Sequence, residues 1–136
     1  MTIAEANAMG MDDRIAEAPM AHYQKRLQAG ELFYQFSPGA RRAIFYPRIA
    51  CPYTGSADLE WRKSAGRGTI YTLTRLYPAG AQPYAVALVD MLEGFRLMTR
   101  IVDASADDVE IGDRVTLSIR PGENGDACPF FVLEGK

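Results

Sequence analysis

The second half of the chain is a succession of strand-length apolar runs cut by short glycine- and proline-rich links, and no other feature restricts the fold as much. Residues 69–77 are rich in Thr, Tyr, Ile and Leu, types that suit a pleated, half-buried surface. A Gly/Pro loop at 78–83 leads to a second run at 84–92, and Glu93-Gly94 makes a short hairpin link into a third at 95–102. Residues 113–120 alternate cleanly, with Val115, Leu117 and Ile119 on one face and Arg114, Thr116, Ser118 and Arg120 on the other. That two-residue period belongs to a strand with one buried side. A fifth run occupies 129–133. The link between the third and fourth runs, DASADDVEIGD, is long enough for one helical turn, with Gly112 as the turn before the fourth strand. Five strands with such a connection match a five-stranded Greek-key barrel of OB type.

The chain upstream reads differently. A helix is predicted over residues 19–29: Pro19 suits the first helical position, Met20, Tyr23 and Leu27 form one apolar stripe, Lys25 and Arg26 lie near the C-terminal end, and Gly30 terminates it. His22 falls on the polar side of this helix, as a solvated surface residue. A short helix over 12–17 precedes it, and residues 1–12, small and without an apolar face, read as a frayed tail. Residues 31–60 contain no helix. Two extended pieces, 32–36 and 43–46, flank the turn Ser37-Pro38-Gly39, and Pro47 and Pro52 interrupt any regular ladder beyond them. The organisation is therefore a tail and helix over 1–30, a small hairpin module over 31–60 and a barrel over 61–136.

A chain of 136 residues suits one domain, or one compact domain with an appendage. No apolar run reaches the ~18 residues of a membrane-spanning helix. The N-terminus carries Glu5, Asp12 and Asp13 without an apolar core of the signal-peptide kind, so a cytoplasmic location is expected. The only two cysteines are Cys51 and Cys128 and the only histidine is His22. A structural zinc site takes about four Cys or His ligands, more than the chain holds. A Ser-His-Asp triad or a Cys-His pair would have to use His22, and no catalytic residue is assigned. Both cysteines are expected as free thiols, with a Cys51–Cys128 disulfide as the alternative.

The net charge of −2 conceals a positive segment. Residues 31–68 hold six basic and three acidic residues, a net of +3, whereas residues 69–136 stand at −4. The six cations, Arg41, Arg42, Arg48, Arg62, Lys63 and Arg67, suit phosphate contacts; scattered charges on a solvated face are the plainer alternative. The stretch SAGRGT (64–69) looks like a phosphate loop but precedes a strand and lacks the required spacing, so it reads as a turn entering the barrel. Tyr71, Tyr77, Tyr84, Phe95, Phe130 and Phe131 offer stacking surfaces to a nucleic acid, but the acidic barrel repels a phosphate backbone.

Several stretches in fixed order carry a family resemblance: Gly30-Glu31-Leu32; YPRIACPYTGS at 46–56; Trp61, Ser64, Gly66, Gly68, Thr69, Ile70, Tyr71 and Thr74; PYAVALVDMLEGFRL at 83–97; VEIGDRV at 109–115; and the terminal Pro129-Phe130-Phe131. Over about residues 19–134 the chain resembles the domain-of-unknown-function family 35. The resemblance implies an N-terminal helix, a rubredoxin-like zinc ribbon and a C-terminal OB-fold barrel, and an association with thiolase-like enzymes of acyl-CoA metabolism. In the register of such a ribbon the four metal ligands fall at Ser37, Ala40, Cys51 and Thr54. Three of the four thiolates are gone, so a ribbon kept without metal, and no cofactor, is expected.

On this resemblance the chain is a non-catalytic accessory subunit of a thiolase-fold enzyme, helping to bind or channel its acyl-CoA substrate. The six cations of the basic segment would meet the CoA phosphates. Phe33, Tyr34, Phe45, Tyr46 and Tyr53, with the helix at 19–29, would contact the partner. An OB-fold nucleic-acid-binding module is the runner-up, and a stand-alone enzyme the third reading.

Overall fold

Pro19 opens α1 (Pro19–Gln28), where its missing N–H leaves no helical hydrogen bond unmade. Gly30, at φ +85°, closes it: its N–H reaches the Leu27 carbonyl at 2.9 Å and the Glu31 N–H reaches that of Arg26 at 2.8 Å, the paired bonds of a Schellman end. The computed structural model describes residues 18–135. The tail expected at 1–12 and the short helix at 12–17 lie outside those residues. Of the expected stripe, Tyr23 and Leu27 are buried while Met20 is exposed. His22 is no solvated surface residue: its ring packs 4.6 Å from that of Trp61.

The ribbon is a three-stranded antiparallel sheet in the order β2-β1-β3. β1 (Phe33–Ser37) and β2 (Arg42–Ile44) form the expected hairpin. β3 (Glu60–Lys63) joins the other edge of β1, pairing Phe33 with Lys63 and Gln35 with Trp61. The sheet thus runs past residue 60, where the sequence divides ribbon from barrel. Its four residues, Glu-Trp-Arg-Lys, lack apolar alternation, so only the pairing with β1 makes them a strand.

β4 (Arg67–Leu76), β5 (Tyr84–Met91), β6 (Arg96–Val102), β7 (Arg114–Pro121) and β8 (Ala127–Leu133) close a barrel in the order β4-β5-β6-β8-β7. Ala106–Asp108, a short 3-10 turn capped by Ser105, occupies the link between β6 and β7. Alternation sets the inward face: Ala85, Ala87, Val89 and Met91 on β5, Leu97, Thr99 and Ile101 on β6. Ile70, Val115 and the fully buried Phe131 join them, with Leu117 and Ile119 packed against the same core. A bulge at Tyr71 shifts the β4–β5 register between Ile70 and Thr72.

β6 meets β8 through only two parallel pairs, Ile101 with Phe131 and Val102 with Val132. Other elements cover the remaining gap. Gln24 of α1 donates to the Ala127 carbonyl at 2.9 Å, and the Met98 N–H reaches the Tyr46 hydroxyl at 3.4 Å. Phe95 stacks on Tyr34 (4.8 Å) and on Phe45 (4.9 Å), while Phe45 meets Tyr23 edge-on (5.5 Å). Helix, ribbon and barrel share one apolar cluster through these rings. Among the described residues no helix is long and apolar enough to cross a membrane.

Candidate ligand site between ribbon and barrel

Three guanidinium side chains from separate parts of the sequence line one cleft of about 450 Å³ between the ribbon and the β5–β6 hairpin. β2 presents Arg42, the loop after it presents Arg48 and Tyr53, and the hairpin presents Asp90 and Arg96. Arg42 lies over the Tyr53 ring at 4.0 Å, which holds both side chains at the mouth. Arg48 is placed by its backbone. The amide of Gln35, only 3% exposed, donates to the Arg48 carbonyl at 2.8 Å and accepts from the Arg48 N–H at 2.6 Å. This side chain imitates a strand partner where Pro47 prevents a ladder. Arg96 pairs with Asp90 across the hairpin and lies 3.7 Å from the Tyr71 ring centre. The hydrogen bond to Asp90 holds the Arg96 guanidinium further to its charged side. Among the described residues Arg42 and Arg48 form no ion pair, so the cleft presents more cation than carboxylate. Such a site suits phosphate, which accepts from guanidinium in bidentate fashion.

The basic segment is therefore divided by the fold. β2 and β3 flank β1 on opposite edges, which separates Arg42 from Arg62. Arg62 pairs with Glu60 at 2.9 Å and covers the Phe36 ring at 3.8 Å. Lys63 pairs with Glu31 at 3.4 Å and Arg67 with Glu134 at 3.5 Å. Arg41 stands exposed in the β1–β2 turn at φ 53° and does not line the cleft. Two of the six expected cations meet in the cleft, and Arg96 joins them unforeseen. The signal for Arg96 lies in the hairpin: once Glu93-Gly94 is the link, Asp90 and Arg96 face each other across it.

The expected contact aromatics divide in the same way. Tyr34 is buried, Phe45 is half-buried against Phe95, and Phe33 lies under Arg26 at 4.9 Å. Tyr34 does not reach the surface, because it belongs to the ring cluster joining ribbon to barrel. Tyr46 and Tyr53 are exposed.

The four positions of the ribbon's metal register do converge. Cys51, 2% exposed, receives hydrogen bonds from the hydroxyls of Ser37 and Thr54 and from the backbone of Tyr53 (3.3 Å) and Thr54. The Ala40 N–H donates to the Ser37 hydroxyl at 3.3 Å. One thiol, two hydroxyls and an alanine do not fit zinc, which takes four nitrogen or sulfur donors in structural sites. Hydrogen bonds to sulfur take the place of coordination. Burial pushes the Cys51 thiol up, but the four hydrogen bonds outweigh it and draw its pKa down to about 7. Cys51 and Cys128 are both free.

A stability prediction follows. Between pH 7 and 9 the unfolded chain keeps a thiol proton that the folded chain has shed, so raising the pH favours the folded state. The urea midpoint of the wild type should rise across that window relative to Cys51→Ser. Parallel pH profiles would show that the thiolate is not preferred in the fold.

The glycine-rich stretch at 64–69 is a structural turn. Glu93 accepts from the Ser64 hydroxyl at 2.9 Å and from the Ala65 N–H at 2.7 Å, and the Gly66 N–H is taken by Ser64 at 3.0 Å. The donors a phosphate would need are already in use.

The family described as the ChsH2 C-terminal OB-fold domain matches residues 61–120. A DUF35 domain-containing scaffold protein from Methanothermobacter thermautotrophicus is 36% identical over 104 residues, covering 68% of this chain and 78% of that protein. The chain belongs to the DUF35 family. A solved Ltp2-ChsH2(DUF35) aldolase chain superposes with a TM-score of 0.72 at 30% identity, covering 83% of this chain and 92% of that one. A probable enoyl-CoA hydratase alpha subunit from Thermomonospora curvata is 40% identical over 89 residues, which are 62% of this chain. The match spans only 28% of that relative's length. The N-terminal helix and the OB barrel expected from the sequence agree with this membership.

Proposed function

We propose that this DUF35 chain is a non-catalytic accessory subunit of an enzyme acting on acyl-CoA thioesters, a thiolase-fold enzyme in the first instance. In this reading its cleft holds the phosphates of the CoA moiety. The observation that carries it is the convergence of Arg42, Arg48 and Arg96 on one cleft beside Tyr53. A nucleotide with a diphosphate bridge and a phosphate monoester offers several anionic groups to such a cluster and a flat base to an exposed aromatic. The relatives named as an aldolase and as a hydratase subunit supply the class of partner. The cleft lining itself consists of arginines, apolar and aromatic groups and one carboxylate already held by Arg96, so the chemistry falls to the partner.

Calorimetric titration with CoA tests the ligand. The Arg42→Ala/Arg48→Ala/Arg96→Ala protein should bind CoA about 100-fold or more weakly, since each charge-assisted contact contributes about 1.5–3 kcal/mol and 1.4 kcal/mol is tenfold. Its circular dichroism should match the parent's. Equal CoA affinity in parent and variant would remove the cleft from consideration. Salt-sensitive binding of an oligonucleotide in preference to CoA would favour the nucleic-acid reading instead.

A further inference from the structure

We infer that the outer face of β4, β5 and β6 is the docking surface for the catalytic subunit, which closes the open side of the cleft; this rests on the accessory-subunit reading. Because Ala85, Ala87, Val89, Leu97, Thr99 and Ile101 point inward, their strand neighbours form the outer face. Register stacks these neighbours in rows about 7 Å apart: Asp90 beside Arg96, Leu88 beside Met98, and Val86 beside Arg100.

The middle of the face is apolar and open: Met98 is 59% exposed and Tyr71 52%, and Tyr46, 47% exposed, borders the β6 edge with its hydroxyl on the Met98 N–H. Two guanidiniums flank it, each laid on a ring: Arg96 on Tyr71 and, at 4.0 Å, Arg100 on Tyr84. Exposed Met, Tyr and Arg together are the composition of protein interfaces rather than of ordinary surface. Stacking on rings holds the two arginines in place before any partner arrives, which lowers the ordering cost of association.

Charge and chemistry select the occupant. Asp90, already bonded to Arg96, is the carboxylate of these rows, and Arg42 and Arg48 stand just beyond it in the cleft. The matching surface is an apolar patch with an acidic rim. Arg96 belongs both to the cleft and to this face. A thioester whose phosphates lie in the cleft extends past the protein, and the enzyme that attacks its acyl carbon must reach across the adjoining face. The catalytic subunit fits both requirements.

The test uses the full chain and the catalytic subunit recovered with it from its source cells, identified by mass spectrometry and then co-expressed. Met98→Asp and Arg100→Glu should each weaken that association at least about tenfold, as at interface hot spots. Glu123→Arg, at the tip of the β7–β8 hairpin, should bind as the parent does. A photo-crosslinker at position 98 should capture the catalytic subunit, whereas one at position 124 should not. Met98→Asp should still bind CoA as the wild type does, so loss of association is not loss of fold or of the cleft. If the wild type recovers no CoA-thioester enzyme, the accessory-subunit reading falls and the docking surface with it. If Met98→Asp associates as well as the wild type, the docking surface alone is overturned. A dimer of the chain by itself that Met98→Asp dissociates would assign the face to a second copy and equally overturn the proposal.

Discussion

Gly68→Ala should destabilise the protein by about 3 kcal/mol, at the top of the usual range for overpacking, and lower Tm by roughly 10 °C for a chain of this length. Gly68 lies in β4 between Met91 of β5 and Val115 of β7. A methyl group there would meet Val89 Cγ1 at 2.5 Å and the Asp90 carbonyl oxygen at 2.7 Å. The second neighbour is backbone of a paired strand, so no rotamer change relieves the clash. Gly30→Ala provides the contrast. Its φ of +85° penalises any side chain, yet nothing lies within 4 Å of the added carbon, and the expected loss is about 1–2 kcal/mol. Urea denaturation of both variants checks the pair. A loss below about 0.5 kcal/mol at Gly68, the range of surface changes, would mean that β4 and β5 do not approach there as described.

Gln35→Glu is expected to harm both stability and ligand binding despite its conserved shape. The Gln35 amide meets the N–H and the carbonyl of Arg48 at once. An ionised carboxylate still accepts from the N–H but faces the carbonyl without a donor, and it is buried. Its folded-state pKa is then raised, so the variant keeps its stability below the ordinary glutamate range near 4.3 and loses it as the pH rises. The variant should therefore lie closer to the wild type at pH 4 than at pH 7. Gln35→Leu removes both bonds at every pH, at a cost of about 2–3 kcal/mol. Both variants should weaken CoA binding, because Arg48 loses the anchor that holds it at the cleft. Unchanged CoA affinity in a folded Gln35→Leu protein would show that the loop places Arg48 without help.

Features written in neighbouring residues were legible in the sequence. The helix ends where Gly30 permits a left-handed residue, and the alternation of Val115, Leu117 and Ile119 against Arg114, Thr116 and Ser118 carries through to the packed face of β7. The hairpin at Glu93-Gly94 and the helical turn before Gly112 are of the same kind. β3 was not legible, because four residues with two charged ends and no alternation hold no strand signal until β1 supplies hydrogen-bonding partners. Gln35 reads as an ordinary polar residue in a strand; its burial depends on a loop that returns thirteen residues later.

The basic segment shows where such reasoning stops. Along residues 31–68 six cations lie close in the chain, whereas the sheet order β2-β1-β3 sets Arg42 on one edge and Arg62 and Lys63 on the other, Arg67 lies on the barrel strand β4, and four of the six, Arg42, Arg62, Lys63 and Arg67, already meet carboxylates or rings. Local patterns of period 2 and 3.6, capping residues and turn glycines act through the backbone of a few adjacent residues, and they suffice for α1, the β1–β2 hairpin and the five strands of the barrel, though not for β3. The cleft depends on which strands pair and how the β5–β6 hairpin meets the ribbon. The hairpin and the ribbon meet where Phe95 stacks on both Tyr34 and Phe45, an interaction among residues far apart in the chain.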